Sequence, residues 1–262
     1  YAAGELQGYM KSHAGVNDED PNILQADYSY SDDDGLTWRH RRITSLIKKP
    51  EWSGMFASSG AGIQILHGAH TGRLVQQYVV RYRNANWAAS AYSDDDGRSW
   101  HMGQLAGPGA DENKSVELAD GTLMLNVRAK PYRKVAYSTD GGESWSALRD
   151  DKQLIDPGDN GSIIRYADRA DAGSGEAHWF VFSNTADTSE RRNLTVKMSC
   201  DDGRTWAVSR TVDAGPAAYS TLARLDDGDF ALLYERDEYK YITLVTFSAP
   251  WLGPSCAHFP AT

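Results

Sequence analysis

The sequence has no run of apolar residues near the roughly 20 needed to cross a bilayer, so it contains no membrane-spanning helix. Positive charge is scarce: 27 Lys and Arg face 36 Asp and Glu, a net charge of -9, and no basic run stands out. A nucleic-acid or anionic-membrane partner is therefore not expected. The only two cysteines, Cys200 and Cys256, are too few and too far apart for a zinc site. They either form one disulfide tying the last repeat to the C-terminal tail, which would suit an exported protein, or stay as free buried thiols. No charged segment followed by an apolar stretch marks a leader at Tyr1; either none was made or processing removed it. The one close histidine pair, His67 and His70, sits in a glycine-rich stretch that reads as surface, and no Ser/His/Asp or Cys-His arrangement stands out.

What is present is a core-forming composition, 40% hydrophobic and 11% aromatic, which excludes disorder and collagen-like structure. It also contains a repeat. The pattern Ser-x-Asp-x-Gly-x-Thr/Ser-Trp occurs at residues 31–38, 93–100, 138–145 and 199–206, its serines 62, 45 and 61 residues apart. A mean spacing of about 56 is a unit of four short strands rather than a helix pair. Stretches such as Arg73–Val80, Thr122–Val127, Leu194–Ser199, Phe230–Tyr234 and Tyr241–Phe247 are rich in β-branched and aromatic residues. Hairpin signals, among them Asp120-Gly121 and Asp227-Gly228, separate them, and only nine prolines and few helical periodicities interrupt them. The reading is all-β, with a propeller as the simplest closed form.

Inside each repeat, the Asp two residues after the Ser is placed to accept backbone N–H bonds across a tight turn, while the Trp packs between sheets. A calcium loop does not fit: its ligand pattern would need Tyr30 or Tyr92 as a ligand, and no Glu stands six residues past the Gly. Chemistry must then lie between the repeats. Four stretches place charged or phenolic residues in strand-like surroundings: Asp111–Leu118 with Asn126–Arg128, Phe182–Asn184 with Glu190–Val196, Ala217–Leu222, and Leu232–Glu235. Taken singly, each also reads as a solvent-facing strand end.

The four boxes together with DENKSVELADG, LNVR, FSN, RRNLTV, AYSTL and LLYE, in that order along essentially the whole chain, resemble the bacterial exo-sialidases (neuraminidases) of actinobacterial type. That resemblance implies a six-bladed β-propeller, residues 1–262 forming most of one catalytic domain, and a secreted or cell-surface glycoside hydrolase. The implied reaction releases terminal α-linked sialic acids from glycoproteins, glycolipids or oligosaccharides with retention, through a tyrosine-linked glycosyl intermediate, with no metal or organic cofactor. The implied roles are Tyr219 as nucleophile, Glu112 as the carboxylate that takes the phenol proton, Arg128 and Arg191 as two of three arginines holding the sialic-acid carboxylate, and Glu235 as the acid that holds the third. Arg192 and Arg165 rival Arg191, which fits the family spacing Arg-x-Asn-Leu better. The stretch 52–62 and Asn160 are expected at the pocket rim.

The residue types suit one another. Sialic acid carries a carboxylate on its anomeric carbon, so a carboxylate nucleophile would meet like charge, whereas a phenol does not. With a pKa near 10, the phenol needs a base. Guanidinium groups capture a carboxylate in two-pronged fashion.

The Arg-Ile-Pro motif and the acid/base Asp that open the family, and its first Asp box, do not occur in the sequence. The expectation is that a missing N-terminal segment or complementary chain supplies them, since 262 residues make about 4.7 units at the observed spacing against the six that the resemblance implies. A trans-sialidase would share every residue named. A sialic-acid-binding propeller without turnover would need the arginines but not an activated phenol.

Overall fold

The computed structural model describes residues 2–3, 8–167, 173–253 and 256. Its strands pair antiparallel throughout. The first sheet holds β1 (Ala2–Ala3), β2 (Gln25–Tyr30) and β3 (Arg39–Arg42), in that order. In the second, β4 (Gly54–Ala57) and the short β5 (Ile63–Gln64) both pair with β6 (Leu74–Tyr82), followed by β7 (Ala85–Ser93) and β8 (His101–Met102). The third is a four-stranded meander of β9 (Asn113–Glu117), β10 (Leu123–Val127), β11 (Tyr132–Ser138) and β12 (Arg149–Ile155).

The last two sheets share a strand. β13 (Ser162–Arg165), β14 (Phe180–Thr185), β15 (Arg192–Ser199), β16 (Val208–Arg224), β17 (Phe230–Arg236) and β18 (Tyr241–Phe247) run in continuous order. The first part of β16 pairs with β15, Val208 opposite Met198, and the second with β17, Arg224 opposite Phe230. The register shifts between Ala217 and Ser220, where the strand crosses from one sheet to the next. Tyr219 sits on that crossing.

The inner strands meet one another, β9 lying beside β6 and β13, and β13 beside β16. Apolar residues fill the wedges between successive sheets. Trp52, Met55 and Val80 pack with Ala26 of the first sheet; Leu125 and Val127 pack with Ala88; Phe180 and Phe182 pack with Val116 and Met124; and Phe230 and Leu232 pack with Val181 and Val196. All five residues of β9 are buried although four are polar, because its strand lines the centre of the molecule. Their side chains must find partners there, and the site below is built from those partners.

The four Ser-x-Asp boxes join strands in equivalent places, β2 to β3, β7 to β8, β11 to β12 and β15 to β16. The expected turn chemistry is present in each. In the box at residues 93–100, Gly97 N–H donates to Ser93 Oγ at 2.8 Å, and Ser99 N–H donates to Asp95 Oδ1 at 2.8 Å. The same two bonds recur at Ser31/Asp33, Ser138/Asp140 and Ser199/Asp201. These donated bonds pull the Asp95 carboxyl down to about 2, first through the Ser99 backbone and side chain. The Gly that recurs at this place in each box is needed where φ is +79° at Gly97 and +92° at Gly142.

Three of the four box tryptophans pack as expected. Trp206 lies 5.5 Å from Phe182 between ring centroids, Trp145 Nε1 donates to Ser90 Oγ of the preceding sheet, and Trp100 packs on Tyr28. Trp38 differs, at 56% exposed. The other three lean back on the sheet before their own, and no described residues form a sheet before β1–β3.

Cys200 and Cys256 are joined in a disulfide with Cα atoms 5.5 Å apart, which settles the alternative left open by sequence. It closes a loop of 56 residues around the last sheet. Cys256→Ser should lower unfolding stability by about 2–4 kcal/mol, chiefly by freeing the unfolded chain. Urea midpoints with and without reductant check this: the oxidised wild type should lose the difference on reduction, and the variant should not respond.

Candidate active site

The polar ends of the inner strands converge at one end of the molecule. Glu112 precedes β9 and Arg128 follows β10, and the Arg128 N–H donates to the Glu112 carbonyl at 2.8 Å, locking the two together. Arg191 precedes β15, Tyr219 lies on the β16 crossing, and Glu235 lies in β17. Antiparallel pairing brings starts and ends of alternate strands to the same edge, so residues up to 107 apart in sequence meet.

At the centre, the Tyr219 hydroxyl donates to Glu112 Oε2 at 2.6 Å and accepts from Arg128 Nη1 at 2.9 Å. Arg128 Nη1 also donates to Glu112 Oε2, at 2.6 Å. The Arg191 guanidinium carbon stands 5.3 Å from the centroid of the Tyr219 ring. Glu235 Oε2 accepts the Tyr219 backbone N–H at 3.2 Å, which fixes the bulged backbone that carries the phenol. Glu112 is buried, and Ser59 Oγ donates to its other oxygen at 3.4 Å.

Burial pushes the Tyr219 phenol well above its ordinary value; its bond to Glu112 and that carboxylate's charge push the same way, while Arg128 and Arg191 oppose them. The resting phenol is therefore neutral. It can become a nucleophile only by passing its proton to Glu112 along the 2.6 Å bond as it reacts, with two guanidinium groups beside the oxygen that gains charge.

Arg191 is held from three sides. Its Nη1 donates to Tyr239 Oη at 2.9 Å, Nη2 donates to the Gly158 carbonyl at 3.1 Å, and Nε lies 3.4 Å from Asp159 Oδ1. Burial raises the Asp159 carboxyl to about 6, against the opposing pull of the Thr185 hydroxyl and Arg191. Neither Asp159 nor Tyr239 is signalled by the sequence. Tyr239 sits on a hairpin tip where Asp237, Glu238 and Tyr239 all have positive φ, at 53°, 54° and 69°, a strained backbone without glycine. Arg192, by contrast, pairs with Asp187 at 2.8 Å on the surface, and Arg165 lies at the opposite end of β13 from this site.

Of the stretch expected at the rim, Ser59 and Gly60 line a cavity of about 210 Å³ with Asn160, Tyr219, Tyr234 and Glu235. Trp52 does not belong to it: at 1% exposed it fills the wedge between the first two sheets. A wider groove of about 630 Å³ opens beside Arg128, lined also by Arg81, Asp111 and Gly158. Burial raises the Asp111 carboxyl, against the pull of Arg128 with Nε 3.9 Å away.

Below Glu112, one pleat further along β9, Lys114 is buried and donates from Nζ to Asn160 Oδ1 at 3.1 Å and to Ser58 Oγ at 3.3 Å. Gly60 passes so close that a Cβ there would meet Lys114 Cε at 2.6 Å. Burial pushes the Lys114 amine down to about 7, Arg133 adds to this, and Glu112 opposes it. The unfolded chain thus binds a proton here that the folded chain releases between pH 7 and the ordinary lysine range. Stability should rise with pH across that window. Lys114→Met should remove this rise, as measured by urea midpoints at neutral pH and at pH near 10; an unchanged slope would refute the assignment.

The inner strands of a propeller thus deliver a phenol, its carboxylate and two guanidinium groups to one mouth. The chain belongs to the BNR repeat-like domain family, which matches residues 2–232. It is 47% identical over 260 residues to a sialidase of Micromonospora viridifaciens, covering 97% of this chain and 40% of that protein. Among solved structures it resembles a sialidase described as Hadza microbial sialidase Hz136, with a TM-score of 0.84 at 27% identity, over 96% of this chain and 50% of that one. A leech intramolecular trans-sialidase, solved with 2,7-anhydro-Neu5Ac, matches with a TM-score of 0.75 at 27% identity, over 86% of this chain and 36% of that one. The chain therefore spans half or less of the length of these relatives.

Proposed function

We propose that this chain forms most of the catalytic propeller of an exo-sialidase that hydrolyses terminal α-linked sialic acids with retention. The observation that carries the reading is the Tyr219 hydroxyl, 2.6 Å from Glu112 and 2.9 Å from Arg128. A protein that only binds the sugar has use for the arginines but none for a phenol bonded to a base. In the first step the Tyr219 oxygen bonds to the anomeric carbon, its proton passes to Glu112, and the aglycone oxygen leaves with a proton from an acid. Water then attacks the same carbon and gives a proton to the conjugate base of that acid, while the bond to the Tyr219 oxygen breaks and Glu112 returns its proton to Tyr219. Arg128 and Arg191 take the sugar carboxylate, for which Arg128 offers Nε and Nη2, neither bonded among the described residues.

The acid that protonates the aglycone is proposed to come from a segment outside residues 1–262. The exposed Leu36 and Trp38 on the first sheet, and Ile242 and Leu244 on the last, support a sheet still to be packed there. The disulfide supports an oxidising, secreted or cell-surface setting, and the substrates are proposed to be sialylated glycoproteins, glycolipids or oligosaccharides.

The test is release of fluorophore from a fluorogenic sialoside by the chain alone and by the chain joined to the N-terminal segment of a close relative. Turnover restored by the segment supports the reading, and none in either form refutes it. Arg191→Lys should weaken sialic-acid binding by about tenfold or more, because an ammonium loses the planar two-pronged contact; unchanged affinity by calorimetry would remove Arg191 from the clamp. The likeness to the leech enzyme favours a second reading, transfer to the sugar's own hydroxyl. Mass analysis separates the two, since an anhydro product is lighter by one water.

A further inference from the structure

The same inner strands end in a second cavity. From Glu112 at the catalytic mouth the chain runs along β9 to Glu117, about 16 Å at 3.3 Å per residue; β13 runs beside β9 to Arg165, and β16 beside β13 to Arg224. There a cavity of about 400 Å³ is lined by Gln64, Glu117, Ile163, Arg165, Leu222 and Arg224, among others.

Arg165 is 7% exposed. Its Nη1 donates to the Glu117 carbonyl at 3.0 Å, while its Nη2 is buried and has no hydrogen-bond partner among the described residues. Arg224 is placed differently, with its guanidinium carbon 4.8 Å from the Tyr166 ring and 4.5 Å from the Phe230 ring. Ring contacts satisfy the faces of a guanidinium and leave its N–H edge to seek an acceptor. Yet Arg224 Nη1 is also buried without a partner among the described residues. Glu117, the one carboxylate among the described lining residues, does not serve them. Its two oxygens accept the Leu66 and His67 N–H groups at 2.9 and 2.7 Å.

Buried cationic N–H groups without acceptors are rare in folded proteins. Two of them, on arginines that both line one cavity and without acceptors among the described residues, with the cavity's own carboxylate already committed, amount to a local positive site in a protein of net charge -9. We propose that this cavity binds a small oxyanion, a carboxylate or a phosphate, between Arg165 and Arg224, separately from the catalytic mouth. The site needs neither the sialidase reading nor any residue outside the chain.

Calorimetry at constant ionic strength tests it on the full chain with inorganic phosphate in one arm and acetate in the other. The expected result is saturable one-to-one binding of at least one of them. Arg165→Met and Arg224→Gln should each weaken it about tenfold or more, while Arg191→Lys leaves it unchanged. Whichever anion saturates names the source. No saturable binding in either arm overturns the proposal, as does wild-type affinity in both cavity variants. Loss in Arg191→Lys also overturns it, because the anion then sits in the catalytic mouth. Should Arg165→Met fail to fold once its bond to the Glu117 carbonyl is gone, Arg224→Gln decides alone, with phosphorus NMR line broadening as a second readout.

Discussion

Tyr219→Phe should lower kcat on a sialoside by on the order of a thousandfold or more while leaving KM and stability close to wild type. The deletion is a single oxygen on a partly buried ring. The ring that Arg191 covers at 5.3 Å remains, and Arg128 and Glu112 stay paired at 2.6 Å without the hydroxyl. What disappears is the atom proposed to bond to the anomeric carbon. Because burial and Glu112 hold the phenol above its ordinary range, phenolate is negligible at neutral pH, and the reaction depends on the proton moving to Glu112 as the bond forms. Glu112→Gln should therefore cost nearly as much as Tyr219→Phe, and the double variant little more, since the two act as one unit. Intact-mass measurement after trapping with a fluorinated sialosyl donor gives a second readout. The wild type joined to the N-terminal segment of a close relative should gain one sialosyl group at Tyr219 and the variant none. An adduct that persists in Tyr219→Phe would place the nucleophile elsewhere.

The recurring and the local were legible in sequence, and the partners of the site were not. Each Ser-x-Asp box closes on itself within five residues, so its pattern repeats intact wherever the turn is needed, and the turn chemistry of Asp95 or Asp201 follows from spacing alone. Strands around it alternate or run apolar for equally local reasons. Tyr219, Glu112, Arg128 and Arg191 lie in four separate segments, and only their resemblance to an ordered set of motifs linked them before the structure placed them at one mouth. Asp159 and Tyr239 escaped because nothing near them in sequence announces an arginine partner: one lies in a Pro-Gly turn, the other on a charged hairpin tip. Trp52 misled in the other direction. Its glycine-rich neighbours do approach the site at Ser59 and Gly60, but an indole ring in that stretch gains more by filling the wedge between two sheets.

The second large effect lies beneath the site. Arg133→Leu should destabilise the fold by about 3–5 kcal/mol, because it leaves a carboxylate buried without its cation. Both side chains of the Arg133–Asp156 pair are 0% exposed, with Nη1 2.6 Å from Asp156 Oδ2. Arg133 also donates from Nη1 to the Asp159 carbonyl at 2.9 Å and from Nε to Asn126 Oδ1. Asp156 in turn accepts the Gly158 and Asp159 N–H groups at 2.8 and 2.7 Å. The pair is thus the base of the loop that offers the Gly158 carbonyl and Asp159 to Arg191, and Asn160 to Lys114. At about 2–4 °C per kcal/mol for a chain of this size, the loss amounts to roughly 6–20 °C in Tm. Asp156→Asn in the Arg133→Leu background should recover part of it, since the amide oxygen can still accept the loop N–H groups while no charge is stranded. In that double variant the melting temperature should return further than the affinity for sialic acid, because without Arg133 nothing holds the Asp159 carbonyl and Arg191 loses part of its seat. A single variant that melts within about 1 kcal/mol of wild type would show that the buried pair carries neither the fold nor the loop.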